Sequence, residues 1–471
     1  MEKFFKVKER GSTVRTEIMA GITTFMAMAY ILMVNAGMFA DPFGDGTNVL
    51  GVSYGAIYIA TAISAVVGTL LIGLLANLPL AQASGMGLNA FFVYTVCIGL
   101  GLSYANALIL VLLDGVIFII LTVTGLRKII FEAIPDAVKK AIPAGIGLFI
   151  AFLGLQNAGI VVNDASTCVN LVSLNLLGSA TWSSIMPILV TIFGLLAIAI
   201  LSKRQVKGAI LWGILGSAIA YYALGFTVPG FYDGFAASLS FNPFDSFKAF
   251  GTEAFAKVFT EGFDFTAYIA ANGTANLVLV IVTSALAFCL VDMFDTMGTL
   301  YGACARGNLL DENGNIPNMN KAMLADAVAT TTGAICGTST VTTFVESSSG
   351  VAEGGRTGLS AIVTAILFFI AMFLSPVAQL IPSCATATAL IYVGILMVNC
   401  VKDIEWTDVE IGVPAFLAMA LMPFTYNISY GIAFGLISYI VIKVGMGKIK
   451  EVKIGTWIIA IMFTIMFFVT H

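Results

Sequence analysis

Apolar runs long enough to cross a bilayer recur along this chain from residue 17 to residue 469, and they limit its fold more than any other feature. A helix needs about 20 residues to traverse the hydrocarbon core. Backbone there must satisfy its own hydrogen bonds, which leaves a helix or a closed barrel. None of the runs alternates apolar and polar residues with period two, so the helix is selected. We place spans near 17–39, 53–76, 83–99, 102–124, 138–157, 182–202 and 206–225 in the first half, and near 273–302, 321–334, 339–352, 357–375, 378–399, 410–425 and 427–445 in the second. This predicts an all-α polytopic membrane protein with 14 transmembrane segments, whose first partner is the lipid bilayer. The composition fits, with 10% charged residues against roughly 25% in a soluble domain. A net charge of only -4, with no basic tract interleaved with aromatics, gives nucleic-acid binding nothing to rest on.

Lys and Arg in short loops set the orientation. Lys3, Lys6, Lys8, Arg10 and Arg15 precede the first apolar run, and no A-x-A-like site closes that run, so it reads as an uncleaved span rather than a signal peptide. Arg127 and Lys128 with Lys139 and Lys140, then Lys203, Arg204 and Lys207, Arg306 with Lys321, Arg356, and Lys402 follow after even numbers of spans. All fall on the side of the N-terminus, which predicts a multi-pass protein of the cell membrane with a cytoplasmic N-terminus. Residues 456–469 are left over: a fifteenth span, a shallow re-entrant piece, or a sign that 410–445 is one broken helix. The seven cysteines, an odd number without paired spacing, suit small buried hydrophobes better than disulfides or a metal site.

The longest polar stretch, 227–268, divides the chain near its midpoint. Each half has a short, polar third segment, 79–92 in the first and 337–350 in the second. Seven spans per half give the halves opposite orientations, so the pattern is that of a 7+7 inverted repeat with discontinuous helices meeting near midplane. Breaks of this kind can offer free N–H groups to a ligand. The small residues could equally serve close helix packing.

Three carboxylates sit in the stretch 290–355 where lipid-facing residues would be expected: Asp292, Asp295 and Glu346. A charge at the bilayer centre costs about 2.5–3.5 kcal/mol on the insertion scale, so such residues normally face a bundle interior or a wet cavity. Asp292 and Asp295, three apart, share a helix face. Two like charges that close favour one keeping a proton, which suits proton handling. Glu346 has Thr342 and Thr343 before it and Ser347, Ser348 and Ser349 after it to complete a polar network. Asn89 can donate to and accept from a planar polar ligand, or make an ordinary interhelical bond. Asp114, among aliphatic neighbours, reads as a partner for another core group, and Asp326 and Glu353 as packing or boundary residues. Phe25, Phe91, Phe92, Phe294 and Phe344 lie near the breaks, where each could stack on an aromatic ligand or simply pack. No H-E-x-x-H, P-loop or G-x-S-x-G motif occurs and the one histidine is His471, so an enzyme is not expected.

The segments 21–31, 85–92, 292–298 and 340–350, with 422–428 and 431–435 near the end, resemble the AzgA-like hypoxanthine/guanine/adenine permeases of the nucleobase/cation symporter-2 group. The resemblance implies a core domain from 1–134 and 271–376, a gate domain from 135–226 and 377–471, and an external loop over 227–270. It implies short extended strands in spans 3 and 10, with a purine nucleobase held between them and imported with protons, without a cofactor or metal. Asp292, Glu346, Asn89, Phe344 and Thr343 then stand as substrate-binding residues, and Asp292, Asp295 and Glu346 as the proton-coupling or pocket-supporting set. Phe25, Phe91 and Phe294 are the stacking candidates. Related uracil and xanthine permeases commonly have glutamate where Asp292 sits, and the shorter arm suits a bicyclic base. The alternatives are an anion transporter of the same fold, or a nucleobase channel or receptor without coupled transport. Monomer and homodimer both remain open.

Overall fold

The computed structural model describes residues 2–125, 133–178, 180–232, 242–311 and 315–469. Among them, nine helices are long and apolar enough to cross a membrane: Val14–Ala40, Tyr54–Ala76, Tyr104–Thr124, Asp136–Asn157, Trp182–Lys203, Thr274–Arg306, Gly358–Ala378, Ser383–Asp403 and Ile428–Gly445. Four more apolar helices are shorter: Met86–Gly99, Ala209–Gly225, Val409–Thr425 and Ile454–Ile465. By length and apolarity the count is therefore nine, below the fourteen expected from the sequence. The shortfall has local causes. Segments 79–99 and 337–352 are interrupted by strands, and Met319–Cys336 is rich in Ala, Thr and Gly rather than large apolar residues. Arg127 and Lys128, used to orient the chain, lie outside the described residues.

Helix starts follow capping chemistry. Thr13, Ser53, Ser103 and Asn427 each accept a backbone N–H of the first turn through the side chain, replacing one of the bonds a helix N-terminus lacks. The two breaks end differently. The Tyr54–Leu71 helix passes through a π turn to Asn77 in the left-handed region, while Met319–Cys336 stops at Gly337, φ +90°. A Cβ at Gly337 would stand 2.5 Å from the Tyr104 hydroxyl, so only glycine fits there.

After each break comes a three-residue strand, Gln82–Ser84 and Val341–Thr343. They pair antiparallel, Gln82 opposite Thr343, Ala83 opposite Thr342 and Ser84 opposite Val341. Bonds from Phe344 N to Ala81 O (3.1 Å) and Gly85 N to Thr340 O (3.0 Å) extend the ladder at both ends. Each strand leads into a short helical turn, Met86–Ala90 and Ser348–Ala352. A two-stranded hairpin, Val161–Asp164 with Cys168–Leu171, lies between the spans placed at 138–157 and 182–202.

Val14–Met28 packs on Gly358–Ala371, and Tyr54–Leu71 on Met319–Cys336, Gly358–Ala371 and the first strand. Tyr104–Thr124 lies on Met319–Cys336 and Thr274–Arg306. A second set surrounds Asp136–Asn157, which packs on Ser383–Val398 and Val409–Thr425. Here backbones nearly touch: a Cβ on Gly394 would stand 2.4 Å from Gly147 O. Val409–Thr425 and Ile428–Gly445 pack along each other, with Gly431 against Met422 and Ala418 and Gly435 against Ala418 and Pro414 O. Partner numbers fall as the glycine numbers rise, so the two helices form an antiparallel hairpin and 410–445 is not one broken helix. Ile454–Val469 is a separate helix resting on Ile428–Gly445 and Thr274–Arg306.

Candidate functional site

A two-stranded pair buried in a helix bundle leaves each strand with an unpaired edge, and every orphaned N–H or C=O there is costly. Side-chain hydroxyls take the place of further strands. Thr69 Oγ1 donates to Gln82 O and accepts from Gln82 N, both at 3.0 Å. Ser347 Oγ accepts from Ala81 N at 3.0 Å, Thr330 Oγ1 donates to Val341 O at 2.9 Å, and Thr296 Oγ1 accepts from Thr343 N at 3.4 Å. Three of these hydroxyls come from neighbouring helices, and Ser347 comes from the Thr- and Ser-rich stretch 338–349 itself.

Around this pair stand five carboxylates on four elements: Asp114 on Tyr104–Thr124, Asp292 and Asp295 on Thr274–Arg306, Asp326 on Met319–Cys336, and Glu346 just past the second strand. Asp114, Asp292 and Asp326 are fully buried, whereas Asp295 and Glu346 are partly accessible. Among the described residues none of the five forms an ion pair with a Lys, Arg or His. Asp326 accepts from Gln82 Nε2 (2.8 Å), Thr296 Oγ1 (2.8 Å) and Thr343 Oγ1 (3.3 Å), tying both strands to two helices. Among the described residues Asp292 receives one long bond, from Thr330 Oγ1 at 3.4 Å, and its Oδ1 has no partner. Glu346 Oε1 accepts from the fully buried Tyr30 hydroxyl at 2.6 Å. Asp295 lies close enough to Glu346 for their charges to repel.

Asn89 is fully buried, accepting from Ser84 Oγ at 2.6 Å and donating weakly to Ser84 O at 3.4 Å. Ser84 Oγ also meets Thr338 Oγ1 at 3.2 Å, and Thr338 accepts from Asn35 at 2.9 Å, so Asn89 ends a polar chain reaching the Tyr30–Ala40 helix. The Thr343 hydroxyl is engaged with Gln82 and Asp326. Phe344 and Phe294 are nearly buried. Phe25 packs edge-on to Phe368 at 5.3 Å, Phe91 edge-on to Phe288 at 4.8 Å, and Phe92 stacks on Phe39 at 5.0 Å. Glu353 is a boundary residue, paired with Lys207 at 2.7 Å.

Two departures from the sequence reading concern partners. Asp326 is a hub of three hydrogen bonds rather than a packing residue. Gln82 and Tyr30, which sequence reasoning did not single out, hold Asp326 and Glu346. The one signal for Gln82 was an amide inside an apolar stretch following Pro79. For Tyr30, a hydroxyl in an apolar helix, no signal separated it from an interfacial tyrosine. An apolar cavity of about 310 Å³, lined among others by Leu113, Ile117, Ala285, Leu286 and Met462, lies to the side of the strands. Its lining has no polar group to orient a base, so it is not the candidate site.

What the arrangement can do chemically is accept N–H groups and hold or release protons beside a pair of helix breaks. A model described as the Permease family matches residues 15–434. The guanine/hypoxanthine permease PbuG of Bacillus subtilis is 41% identical over 454 residues, covering 96% of each chain. PbuO, a second guanine/hypoxanthine permease of that organism, is 39% identical over 477 residues, 99% of this chain and 100% of its own. The adenine permease AdeP of Escherichia coli K12 is 36% identical over 463 residues, 98% of this chain and 95% of its own. Among solved structures, the transmembrane domain of the cyanobacterial bicarbonate transporter BicA aligns with a TM-score of 0.60 at 13% identity, covering 88% of this chain and 97% of its own. That likeness is one of fold.

Proposed function

The chain belongs to the Permease family, in the nucleobase/cation symporter-2 group, and is a transporter rather than an enzyme; from that premise we propose that it imports purine nucleobases, guanine, hypoxanthine or adenine, into the cell by proton symport. The observation that carries this reading is the set of carboxylates around the strand pair with no cation among the described residues to neutralise them. Acids without counter-ions suit a neutral ligand that presents N–H donors together with a proton. They do not suit an anion, which would meet like charge.

Asp292 and Glu346 accept the N–H edge of the base, with Asn89, Thr343 and Phe344 completing the pocket. Asp295, near Glu346, disfavours both acids being charged at once, so that one of them keeps a proton. A proton from outside neutralises one carboxylate of the Asp292 and Glu346 set as the base binds, and its loss inside releases the base. The helices around the strands form a core, and those around Asp136–Asn157 a gate, within a 14-span, 7+7 inverted repeat in the plasma membrane with a cytoplasmic N-terminus. The core moves past the gate as an elevator. Gly87 supports such sliding contact, since a Cβ there would stand 2.4 Å from Ile146 across the two sets.

A panel of radiolabelled adenine, guanine, hypoxanthine, xanthine, uracil and sulfate, offered to purified protein in liposomes, tests the substrate class. Uptake of one or more purines and exclusion of sulfate is expected. Uptake of sulfate, or of uracil alone, would contradict it.

A further inference from the structure

We propose that Asp114 is a proton-holding site outside the purine pocket, linked to that pocket through Thr340. The proposal rests on the proton-symport reading and adds to it a residue that the pocket does not use. Asp114 lies inside Tyr104–Thr124 and is fully buried. Thr340 Oγ1 donates to its Oδ2 at 3.0 Å, and its Oδ1 has no partner among the described residues. Asp326 is equally buried yet has both oxygens hydrogen-bonded. With one donor and no cation, an ionised Asp114 would bear most of its desolvation penalty uncompensated, whereas the neutral acid would not. A proton therefore rests there at little cost.

The groups that face Asp114 are Cys289 and Asp292 from Thr274–Arg306 and Asp326 from Met319–Cys336. Each is neutral or negative, so none compensates a charge on Asp114. The link to the pocket is short and runs through Thr340, which holds Asp114 by its hydroxyl and the other break by its carbonyl. Thr340 O accepts the Gly85 N–H at 3.0 Å, and Gly85 precedes the turn Met86–Ala90 that carries Asn89. Charging Asp114 tightens its hold on Thr340, the residue that fastens one helix break to the other. The step is a proton transfer alone. An O–H bond forms on the carboxylate as hydronium on the outer side gives up its proton and becomes water, and it breaks when the proton passes to water on the inner side, which becomes hydronium.

Asp114→Asn keeps the shape, the acceptor for Thr340 and the neutral state, but cannot release a proton. In proteoliposomes at equal pH on both sides, D114N should exchange internal for external purine as the natural protein does, while accumulation driven by an inward proton gradient is lost. Thr340→Val removes a donor that favours the charged carboxylate, so the pH at which gradient-driven uptake is half-lost should move upward; Thr340→Ser should restore it. D114N that accumulates purine with undiminished gradient dependence overturns the proposal. If D114N does not fold, the infrared carbonyl stretch of a buried protonated acid decides: it should shift in T340V and not in T340S, and an unshifted band overturns the proposal. A natural protein that ignores the gradient would defeat the symport reading instead, and the same infrared comparison would still support or overturn the assignment of Asp114.

Discussion

Tyr30 and Glu346 are 316 residues apart in sequence and 2.6 Å apart in space. The tyrosine holds one oxygen of a partly exposed carboxylate; in the proposed pocket the other oxygen takes the base. A hydrogen bond to a charged group contributes about 1.5–3 kcal/mol. Tyr30→Phe should therefore raise the KM for purine uptake by roughly tenfold or more, with a smaller effect on the maximal rate; an unchanged KM would show that Glu346 needs no such support. Asp292→Asn should abolish purine binding, measured by equilibrium binding to detergent-solubilised protein, without loss of the folded state, since Asn keeps an acceptor for Thr330. Unchanged affinity would remove Asp292 from the site. The acids were legible in the sequence because charge in an apolar run is expensive enough to demand a reason. Tyr30 and Gln82 were not, because neither side chain is costly enough to stand out and each partner lies on a distant segment.

The strand pair is the element on which the site depends, and it is held less by its own ladder than by the hydroxyls along its edges. Thr69→Val leaves both Gln82 N and Gln82 O without their partner, at a cost of about 1–3 kcal/mol for each buried group. Its melting temperature should fall and its uptake with it, whereas Thr69→Ser should retain both; a T69V protein as stable as the natural one would show that water takes over the edge. Gly350 makes a different demand, since a Cβ there would stand 2.1 Å from Thr24 Oγ1 and 2.6 Å from Ala20 O. Gly350→Val should displace the turn after Glu346, at about 1–3 kcal/mol of overpacking, and lower purine affinity; unaltered affinity would place the turn outside the site. Segments 79–92 and 337–350 could be singled out from the sequence because they are short, polar and glycine-interrupted. That their strands pair with one another, Gln82 against Thr343, could not, because strands of three residues carry too few side chains to declare a register. The hairpin Val161–Asp164 with Cys168–Leu171 was missed for a related reason: its residues are mostly exposed and show no buried face.

On the scale of the whole molecule, the two sets of helices touch each other lightly compared with the packing inside each set, and the acids belong to only one of them. That division suits the proposed movement, in which one set carries the site past the other. In the second set Gly147 with Gly394, and Gly431 and Gly435 with Ala418, bring helix backbones close enough for dense packing. The central claim is that acids without counter-ions in the moving body take up a proton together with each base and release both on the inner side. The most direct test is purine uptake into proteoliposomes under an imposed pH gradient. The account predicts accumulation when the outside is acidic, collapse on adding a protonophore, and loss in Asp292→Asn and Glu346→Gln. Uptake of equal rate and extent with and without the gradient would contradict it.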